Sequence, residues 1–553
     1  MSLSLPIPPT ISYQDGRFFI SSTSKRFTTN GACVPELNYM VKTDELVSNI
    51  IQLIDDKQYF AINRARQYGK TTTLNALIRA INSSYVVLSL DFQALGNASF
   101  ASEEIFVQDF AKIVLSAMAY DDELPNNIKA QLSEIAGRSM GLARLVDLFA
   151  ILNLWCCVSD KPVVLLIDEV DSAANNQVFL DFLAQLRYGF LKRLNNARAR
   201  TFHSVILAGV TDIKHLKSKM RDDELHKVNS TWNIAVDFNY DMSLSEEGIR
   251  EMLQDYEADH ATGMDTALVA RLLRDYTSGY PFLVSRICQI IDEKLVPGTF
   301  ANHAAAWTAY GVDEAVKTLL SEKNMLFESL MGKLTNYPNL KQALRDVLLK
   351  GSILESLPDD EEQEQLRMYG FIRSRENTVV ISNKIFEMRL YKQFLGDSKK
   401  EDALRQEAAS TKSIFVQDGW LNIPLILEKF IESQSRIHGQ MTEKFVEDEG
   451  RERFLTYLTP IINGTGTYSI ESQTRDRCRM DVEIHYLGRR YIIELKIWHG
   501  ERYHQKGEQQ IIDYLDYFGL QTGYMLSFNF NKKKKTGVER IRIGDKVLYE
   551  GTL

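Results

Sequence analysis

The chain has 553 residues, a formal net charge of −8, 44% hydrophobic residues and 25% charged residues. Those fractions are globular averages, which excludes a disordered, collagenous or wholly coiled-coil chain, and the length predicts about three or four domains. No apolar run reaches the ~18 residues of a membrane span, MSLSLPIPPTISYQDGR has no secretory-leader pattern, and five cysteines without paired metal spacing exclude a disulfide framework and a zinc site.

A soluble, cytoplasmic protein without membrane association is therefore expected. The charge is uneven: residues 441–553 hold 18 Lys+Arg and 17 Asp+Glu, a net of +1, leaving −9 for residues 1–440. Residues 1–35, with Pro6, Pro8 and Pro9, read as a loop-like N-terminal segment. Leu46, Val47, Ile50, Ile51 and Ile54 then keep helical spacing. A strand at Gln58–Ile62 and a helix at Thr72–Ile81 follow. Next come a strand at Tyr85–Leu90, helices near 103–120, 124–135 and 142–157, a buried strand at Val163–Ile167, a helix at 176–193 and a strand at Ser204–Ala208. Such alternation, with continuously apolar strands, predicts an α/β fold with a parallel sheet covered on both faces over residues 36–235.

Residues 236–298 read as a helical lid interrupted by Gly279-Tyr280-Pro281. Residues 299–395 give helices and then a hairpin turning near Arg375–Asn377, the layout of a winged helix. Residues 396–435 read as a charged connector. In residues 436–553 a helix at Glu443–Ile462 precedes strands at Tyr468–Gln473, Met480–Tyr486 and Arg490–Leu495. A helix at Lys506–Phe518 and a strand at Gly523–Phe528 complete an α-β-β-β-α-β order.

Two constellations carry chemistry. In the first, Arg64-Ala65-Arg66-Gln67-Tyr68-Gly69-Lys70-Thr71-Thr72 follows a strand and opens a helix, where free N–H groups and the helix dipole favour a phosphate. Lys70 would reach the β- and γ-phosphates of ATP and Thr71 would ligate Mg²⁺, with Arg66, Gln67, Tyr68, Gly69 and Thr72 completing the cradle. Arg64 stands where the G-x-x-x-x-G-K-[ST] pattern has its first glycine. Asp168, ending the strand Val163–Ile167, would hold the ion through water, and Glu169 would polarise the attacking water. Thr211 either senses the γ-phosphate or merely starts a turn. Arg286 is a candidate nucleotide contact or a surface arginine.

In the second, alternation on Tyr491-Ile492-Ile493-Glu494-Leu495-Lys496 puts Glu494 and Lys496 on one face, with Asp481 one tight turn away around Gly488. Two carboxylates can hold Mg²⁺ or Mn²⁺, which lowers the pKa of a bound water, while Lys496 stabilises phosphorane-like charge. Gln510 and Tyr514, four residues apart, share a helix side. The bland reading of Glu494 and Lys496 is a surface ion pair. Lys532–Lys535 could contact phosphates or form a solvated turn.

Residues of about 35–290 resemble AAA-like ATPases of the signal-transducing (STAND) kind, through Tyr39-Met40-Val41, Ile62 to Thr72, Leu166-Ile167-Asp168-Glu169 and Gly279-Tyr280-Pro281. The resemblance implies that an arginine-containing phosphate loop is usual, that the turn at Pro281 packs near the adenine, that a helical lid and winged helix follow, and that ATPase domains form homo-oligomers. Residues of about 440–530 resemble the PD-(D/E)xK nuclease superfamily through Asp481, Glu494, Lys496, Gln510 and Tyr514. That resemblance implies one or two Mg²⁺ or Mn²⁺ ions, a DNA substrate with RNA possible, and a glutamate on the first helix, Glu449 or else Glu452. The expected architecture is a P-loop parallel-sheet ATPase core with helical lid and winged helix, plus a C-terminal α/β nuclease-like domain. The expected function is ATP-regulated, metal-dependent DNA cleavage, with phage defence or mobile-element control as its setting. A switch whose nuclease-like domain only binds, and a DNA-translocating or transposition ATPase, are the alternatives.

Overall fold

In the computed structural model the chain is described apart from residues 1–10, 15–16, 21–24, 121, 138–142, 175, 197, 211–231, 350–354, 358–359, 398–401, 411, 418, 439–446, 463–465, 474–478, 499–500, 530 and 532–533. It divides into two units, Met1–Leu244 with Glu364–Gly370, and Ser245–Gln363 with Phe371–Leu553.

The first unit begins with a short antiparallel hairpin, β1 (Ile11–Gln14) and β2 (Arg17–Ile20), inside the stretch expected to be loop-like. Helix α1 (Asp44–Asp55), β3 (Tyr59–Asn63), α2 (Lys70–Ile81) and β4 (Val86–Asp91) follow. Then come α3 (Glu103–Ala117), α4 (Asn126–Ala136), α5 (Leu145–Val158), β5 (Val163–Asp168), α6 (Gln177–Asn195) and β6 (Ser204–Gly209). The four strands β3 to β6 are all parallel, in the order β3-β6-β5-β4. Strand β5 shows why its sequence is continuously apolar. Val163, Leu165 and Ile167 join one core cluster with α3 to α6, whereas Val164 and Leu166 join another with α1 and α2. Both faces of the sheet are thus buried, as expected for a parallel sheet with helices on each side. The C-terminal ends of β3 and β5 carry the phosphate loop and Asp168.

The second unit opens with α7 (Glu246–His260), α8 (Thr266–Thr277) and α9 (Pro281–Ile290). Asp265 caps α8 by accepting from the N–H groups of Ala267 and Leu268 at 3.1 and 3.0 Å. Two short helices, α10 (Val296–Gly298) and α11 (His303–Ala306), lead to α12 (Ala309–Ser321). Next are α13 (Met325–Asn336), α14 (Pro338–Leu349), α15 (Glu361–Met368), of which Glu364 onward is assigned to the first unit, and an antiparallel hairpin of β7 (Ile372–Arg375) and β8 (Thr378–Ile381), then α16 (Lys384–Asp397). Glu376 and Asn377 turn that hairpin with φ of 49° and 64°.

The segment expected as a connector contains α17 (Asp402–Ser410), a two-residue pair of β9 (Val416–Gln417) and β10 (Trp420–Leu421), and most of α18 (Ile423–His438). Helix α19 (Glu447–Ile462) precedes a six-stranded mixed sheet. Its strands are β11 (Gly466–Gln473), β12 (Arg479–Tyr486), β13 (Arg489–Ile497), β14 (Thr522–Phe528), β15 (Gly537–Ile543) and β16 (Lys546–Thr552), with α20 (Glu501–Phe518) between β13 and β14. The order is β11-β12-β13-β14-β16-β15, with β13, β14 and β16 mutually parallel. Strand β14 is therefore not the last of the core: β16 pairs with it and β15 forms the edge. Ile511 and Leu515 of α20 pack on Met525 and Leu548 of one face. Gly551 of the other face meets Leu427 and Ile431 of α18, so that part of the connector covers the sheet. Among the described residues no helix is long and apolar enough to cross a membrane.

Candidate functional site

The loop after β3 folds around two left-handed residues, Gln67 (φ 57°) and Gly69 (φ 83°), and Gly69 caps α2. This geometry turns the chain sharply enough for the first N–H groups of α2 to remain free for an anion. Lys70 is only 6% exposed, and its Nζ donates to the carbonyls of Arg64 and Ala65 at 3.0 and 3.2 Å. Burial pushes its pKa down, while Glu169, Asp171 and Asp168 oppose that shift. The Thr71 hydroxyl donates to Asp168 Oδ2 at 2.8 Å, and the Glu169 N–H donates to Asp168 Oδ1 at 2.9 Å. Burial raises the carboxyls of both Asp168 and Glu169 above their ordinary range. Glu169 itself sits at φ 55°, a sparsely populated conformation for a residue with a side chain.

Arg64 replaces the usual glycine by anchoring sideways. Its guanidinium donates to the carbonyls of Tyr240 at 2.6 Å and Phe238 at 3.4 Å and stacks over the Phe238 ring at 5.4 Å. Its N–H donates to the Gly209 carbonyl at 3.0 Å, so the loop is tied to the end of β6. Thr72 accepts from the Cys33 N–H at 3.1 Å. Tyr68 is part-buried against the α1–α2 core cluster, and Arg66 lies close enough to act electrostatically on Lys70 and Glu169. Sequence reasoning missed Asp171, which accepts from the Val210 N–H at 2.7 Å and so joins β5 to the end of β6. Its place three residues beyond Asp168 was the available signal. Thr211 lies outside the described residues. A buried ammonium beside three carboxylates, one bonded to Thr71, fits a triphosphate with its divalent ion.

Pro281 is the first residue of α9, after a turn in which Ser278 and Gly279 take φ of 50° and 74°. It belongs to the second unit. Arg286, on the same helix, forks onto Glu322 at 2.7 and 3.0 Å, which gives it a structural partner.

In the mixed sheet, Glu494 is fully buried, and Lys496 Nζ lies 2.7 Å from its Oε1. Helix α20 lies against the lysine: a Cβ on Gly507 would be in ordinary contact, at 3.5 Å, with Lys496 Cγ and Met525 Sδ. Gln510 Nε2 donates to the Tyr514 hydroxyl at 2.8 Å, and Tyr514 packs on Ile492. Ile492, Glu494 and Lys496 therefore share the face that α20 covers. The Leu487-Gly488 turn (φ 50° and 74°) sets the antiparallel register Val482↔Ile493. Asp481 stands one position beyond that pair, level with Glu494 on the neighbouring strand. Its side chain lies outside the described residues.

Glu449 is half-buried and pairs with Arg453 on its own helix. Its neighbour Gly450 abuts the Phe528 ring with no space for a side chain, and Phe528 alternates with Ser527 to the face opposite Lys496. Glu452 pairs with Arg345 at 2.9 Å. The structure thus brings together Glu494, Lys496, Gln510 and Tyr514, and engages Glu449 and Glu452 elsewhere. Lys532 and Lys533 lie outside the described residues, while Lys534 donates to the Asn529 carbonyl and Lys535 pairs with Glu539. Among the described residues no three His, Cys, Asp or Glu converge as a metal cluster. Two acids at level register positions, Asp481 and Glu494, are nevertheless a donor set of the oxygen type that divalent cations prefer.

The family model described as AAA-like domain matches residues 38–396. No curated protein matches the chain. Among solved structures, the Walker-type ATPase paby2304 of Pyrococcus abyssi is 12% identical, covers 66% of this chain and 99% of its own, and superposes with a TM-score of 0.44. The Aeropyrum pernix ORC1 protein, solved in complex with DNA, is 11% identical over 64% of this chain and 93% of its own, with a TM-score of 0.30. The Thermotoga maritima RuvB Holliday junction branch migration motor is 13% identical over 66% and 98%, with a TM-score of 0.32.

Proposed function

The chain belongs to the AAA-like domain family, and on that premise we propose that it couples ATP binding and hydrolysis to a metal-dependent phosphodiesterase acting on DNA. The observation that carries the second half is the buried Glu494 with Lys496 at 2.7 Å, level with Asp481 on the adjacent strand.

At the nucleotide end, Lys70 and the N–H groups opening α2 bind the phosphates. Thr71 and Asp168 would hold Mg²⁺, which when bound neutralises charge between the phosphates. Glu169, with its carboxyl raised by burial, takes the proton of the attacking water more readily than an exposed glutamate. Thr211 would complete the γ-phosphate contacts, and ATPase domains of neighbouring copies would associate. At the other end, Asp481 and Glu494 would hold Mg²⁺ or Mn²⁺, which supplies an activated water at neutral pH. Lys496 steadies charge on the cleaved phosphate, and Gln510 orients the strand being cut.

Incubation with plasmid, linear and single-stranded DNA and with RNA, with and without ATP and Mg²⁺, tests this reading. Wild type should cleave DNA, whereas Lys496→Ala and Asp481→Ala should lose cleavage and keep ATP hydrolysis. Cleavage that survives both substitutions sinks the assignment. A non-catalytic switch is the second reading; it predicts nucleic-acid or protein binding indifferent to Mg²⁺ and Mn²⁺.

A further inference from the structure

Glu483 of β12 is a carboxylate only 1% exposed, and the chemistry above does not use it. Leaving such a group buried and unpaired is costly, so its partners define what must stay together. Its Oε1 meets Arg490 Nε at 2.8 Å and His485 Nε2 at 2.9 Å, and its Oε2 faces Lys384 Nζ at 3.3 Å. His485 Nδ1 lies 3.7 Å from Asp313 Oδ2, and Asp313 Oδ1 accepts from the Tyr276 hydroxyl at 2.9 Å. The Tyr276 and His485 rings are 6.0 Å apart. Asp275 also acts on this cluster through Lys384 and Arg490.

The partners come from two sides. The sheet supplies Glu483 and His485 from β12 and Arg490 from β13. The helices supply Asp275 and Tyr276 from α8, Asp313 from α12 and Lys384 from α16. Each side lends the other a charge: parted from the helices, Glu483 would keep Arg490 and His485 but lose Lys384, and parted from the sheet, Asp313 would keep the Tyr276 hydroxyl but lose His485. Both ring nitrogens of His485 face carboxylates, an arrangement that favours the imidazolium. The strand that carries Glu483 carries Asp481 two residues earlier. On β13, Ile492 pairs opposite Glu483 and lies two residues from Glu494. A displacement of β12 at Glu483 therefore moves Asp481 relative to Glu494. Helix α8, which holds the far end of the cluster, runs straight into the Ser278–Pro281 turn.

We infer that this buried charge cluster is a joint through which α8, α12 and α16 hold β12 in place, making Lys384, Asp313 and Glu483 positioning residues for the Asp481–Glu494–Lys496 site. The catalytic consequence rests on the cleavage reading above, whereas the joint itself can be read without cleavage.

The test compares full-length wild type with Lys384→Met and Lys384→Arg. Hydrogen exchange over β12 should speed up in Lys384→Met, return toward wild type in Lys384→Arg, and stay unchanged in α2 and β5. The Mg²⁺ needed for half-maximal DNA cleavage should rise about 10-fold or more in Lys384→Met and recover in Lys384→Arg, with ATP hydrolysis retained. Should Lys384→Met fail to fold, Asp313→Asn removes one charge at nearly constant shape and takes its place. Unchanged β12 exchange overturns the inference. So does faster exchange with an unchanged metal requirement, because the cluster is then structural only. A wild type that cleaves nothing refutes the cleavage reading and the positioning role together, whereas the exchange comparison separates that result from failure of the joint.

Discussion

Gly209, at the end of β6, has no space for a side chain. A Cβ there would meet Val170 Cγ2 at 2.8 Å and Asp171 Oδ2 at 3.2 Å. The close approach lets Asp171 reach the Val210 N–H and lets the Gly209 carbonyl take the Arg64 N–H. Gly209→Ala should therefore cost about 1–3 kcal/mol, the usual range for overpacking, seen as a lower denaturant midpoint; an unchanged midpoint would show that the contact relaxes freely. Glu169 is held in a different way, by left-handed backbone and the N–H bond to Asp168. If it is the base, Glu169→Gln should slow ATP hydrolysis about 10²–10⁴-fold and leave nucleotide binding intact, as phosphate release and equilibrium binding would show. Hydrolysis at the wild-type rate would assign the role elsewhere. The meeting of Thr71 with Asp168 was legible in the sequence because each closely follows an apolar strand of one parallel sheet. Asp171 was not, since its importance depends on β6 lying beside β5, a pairing of distant segments.

At the scale of elements, α9, the π-helical segment Ile291–Leu295 that continues it and the end of α12 meet at Glu322. Burial would raise that carboxyl, but hydrogen bonds from Arg286 and Lys294 hold it below its ordinary 4.5. A lowered folded pKa contributes stability that is present above pH 4.5 and lost as pH falls through the folded value. Arg286→Ala should cost about 1–3 kcal/mol at neutral pH and weaken this acid dependence; thermal unfolding followed from pH 7 to pH 3 checks both. Helix α15 directly precedes the hairpin that the sequence suggested as a wing, and its first four residues are Glu361, Glu362, Gln363 and Glu364. Phosphate contact is driven by positive charge, so replacing these three glutamates with glutamine should not weaken DNA binding, and a loss of affinity would restore α15 as a contact. The hairpin after α15 was legible from its turn and flanking apolar residues. Strand β16 was not, because it enters the sheet between β14 and β15, out of chain order, and periodicity is blind to order.

For the molecule as a whole, the Glu483 cluster makes stability depend on pH from both sides. Burial opposes ionisation of Glu483, but Lys384, His485 and Arg490 outweigh it and hold the carboxyl well below 4.5. Burial opposes the charge on His485 too, but Glu483 and Asp313 raise its pKa above 6.5. The Glu483 contribution is present above pH 4.5 and lost as pH falls through its depressed value; the His485 contribution is present below pH 6.5 and lost as pH rises through its raised value. Calorimetry should show wild-type stability declining above pH 6.5 and a smaller decline in His485→Gln. Equal declines would separate His485 from the effect. Sequence pattern identified the sheet and the Glu494–Lys496 pair but passed over Glu483 and His485. An acid between Val482 and Ile484 on an alternating strand looks solvent-facing until helices from far earlier in the chain, such as α16 with Lys384, are known to reach it.

The two-residue turn at Leu487 and Gly488 has a further meaning. Asp481, Glu483 and His485 occupy alternate positions of β12, and Arg490, Ile492, Glu494 and Lys496 occupy the matching alternate positions of β13. The residues of the proposed cleavage site and the clasp inferred to hold them are thus written in one phase of a period-two code. A slip of one residue at the turn would send Arg490, Glu494 and Lys496 to the opposite face and part them from Asp481, Glu483 and His485, breaking both sets at once. Lineages drifting from this sequence can change either set residue by residue, but through the turn they keep or forfeit both at once.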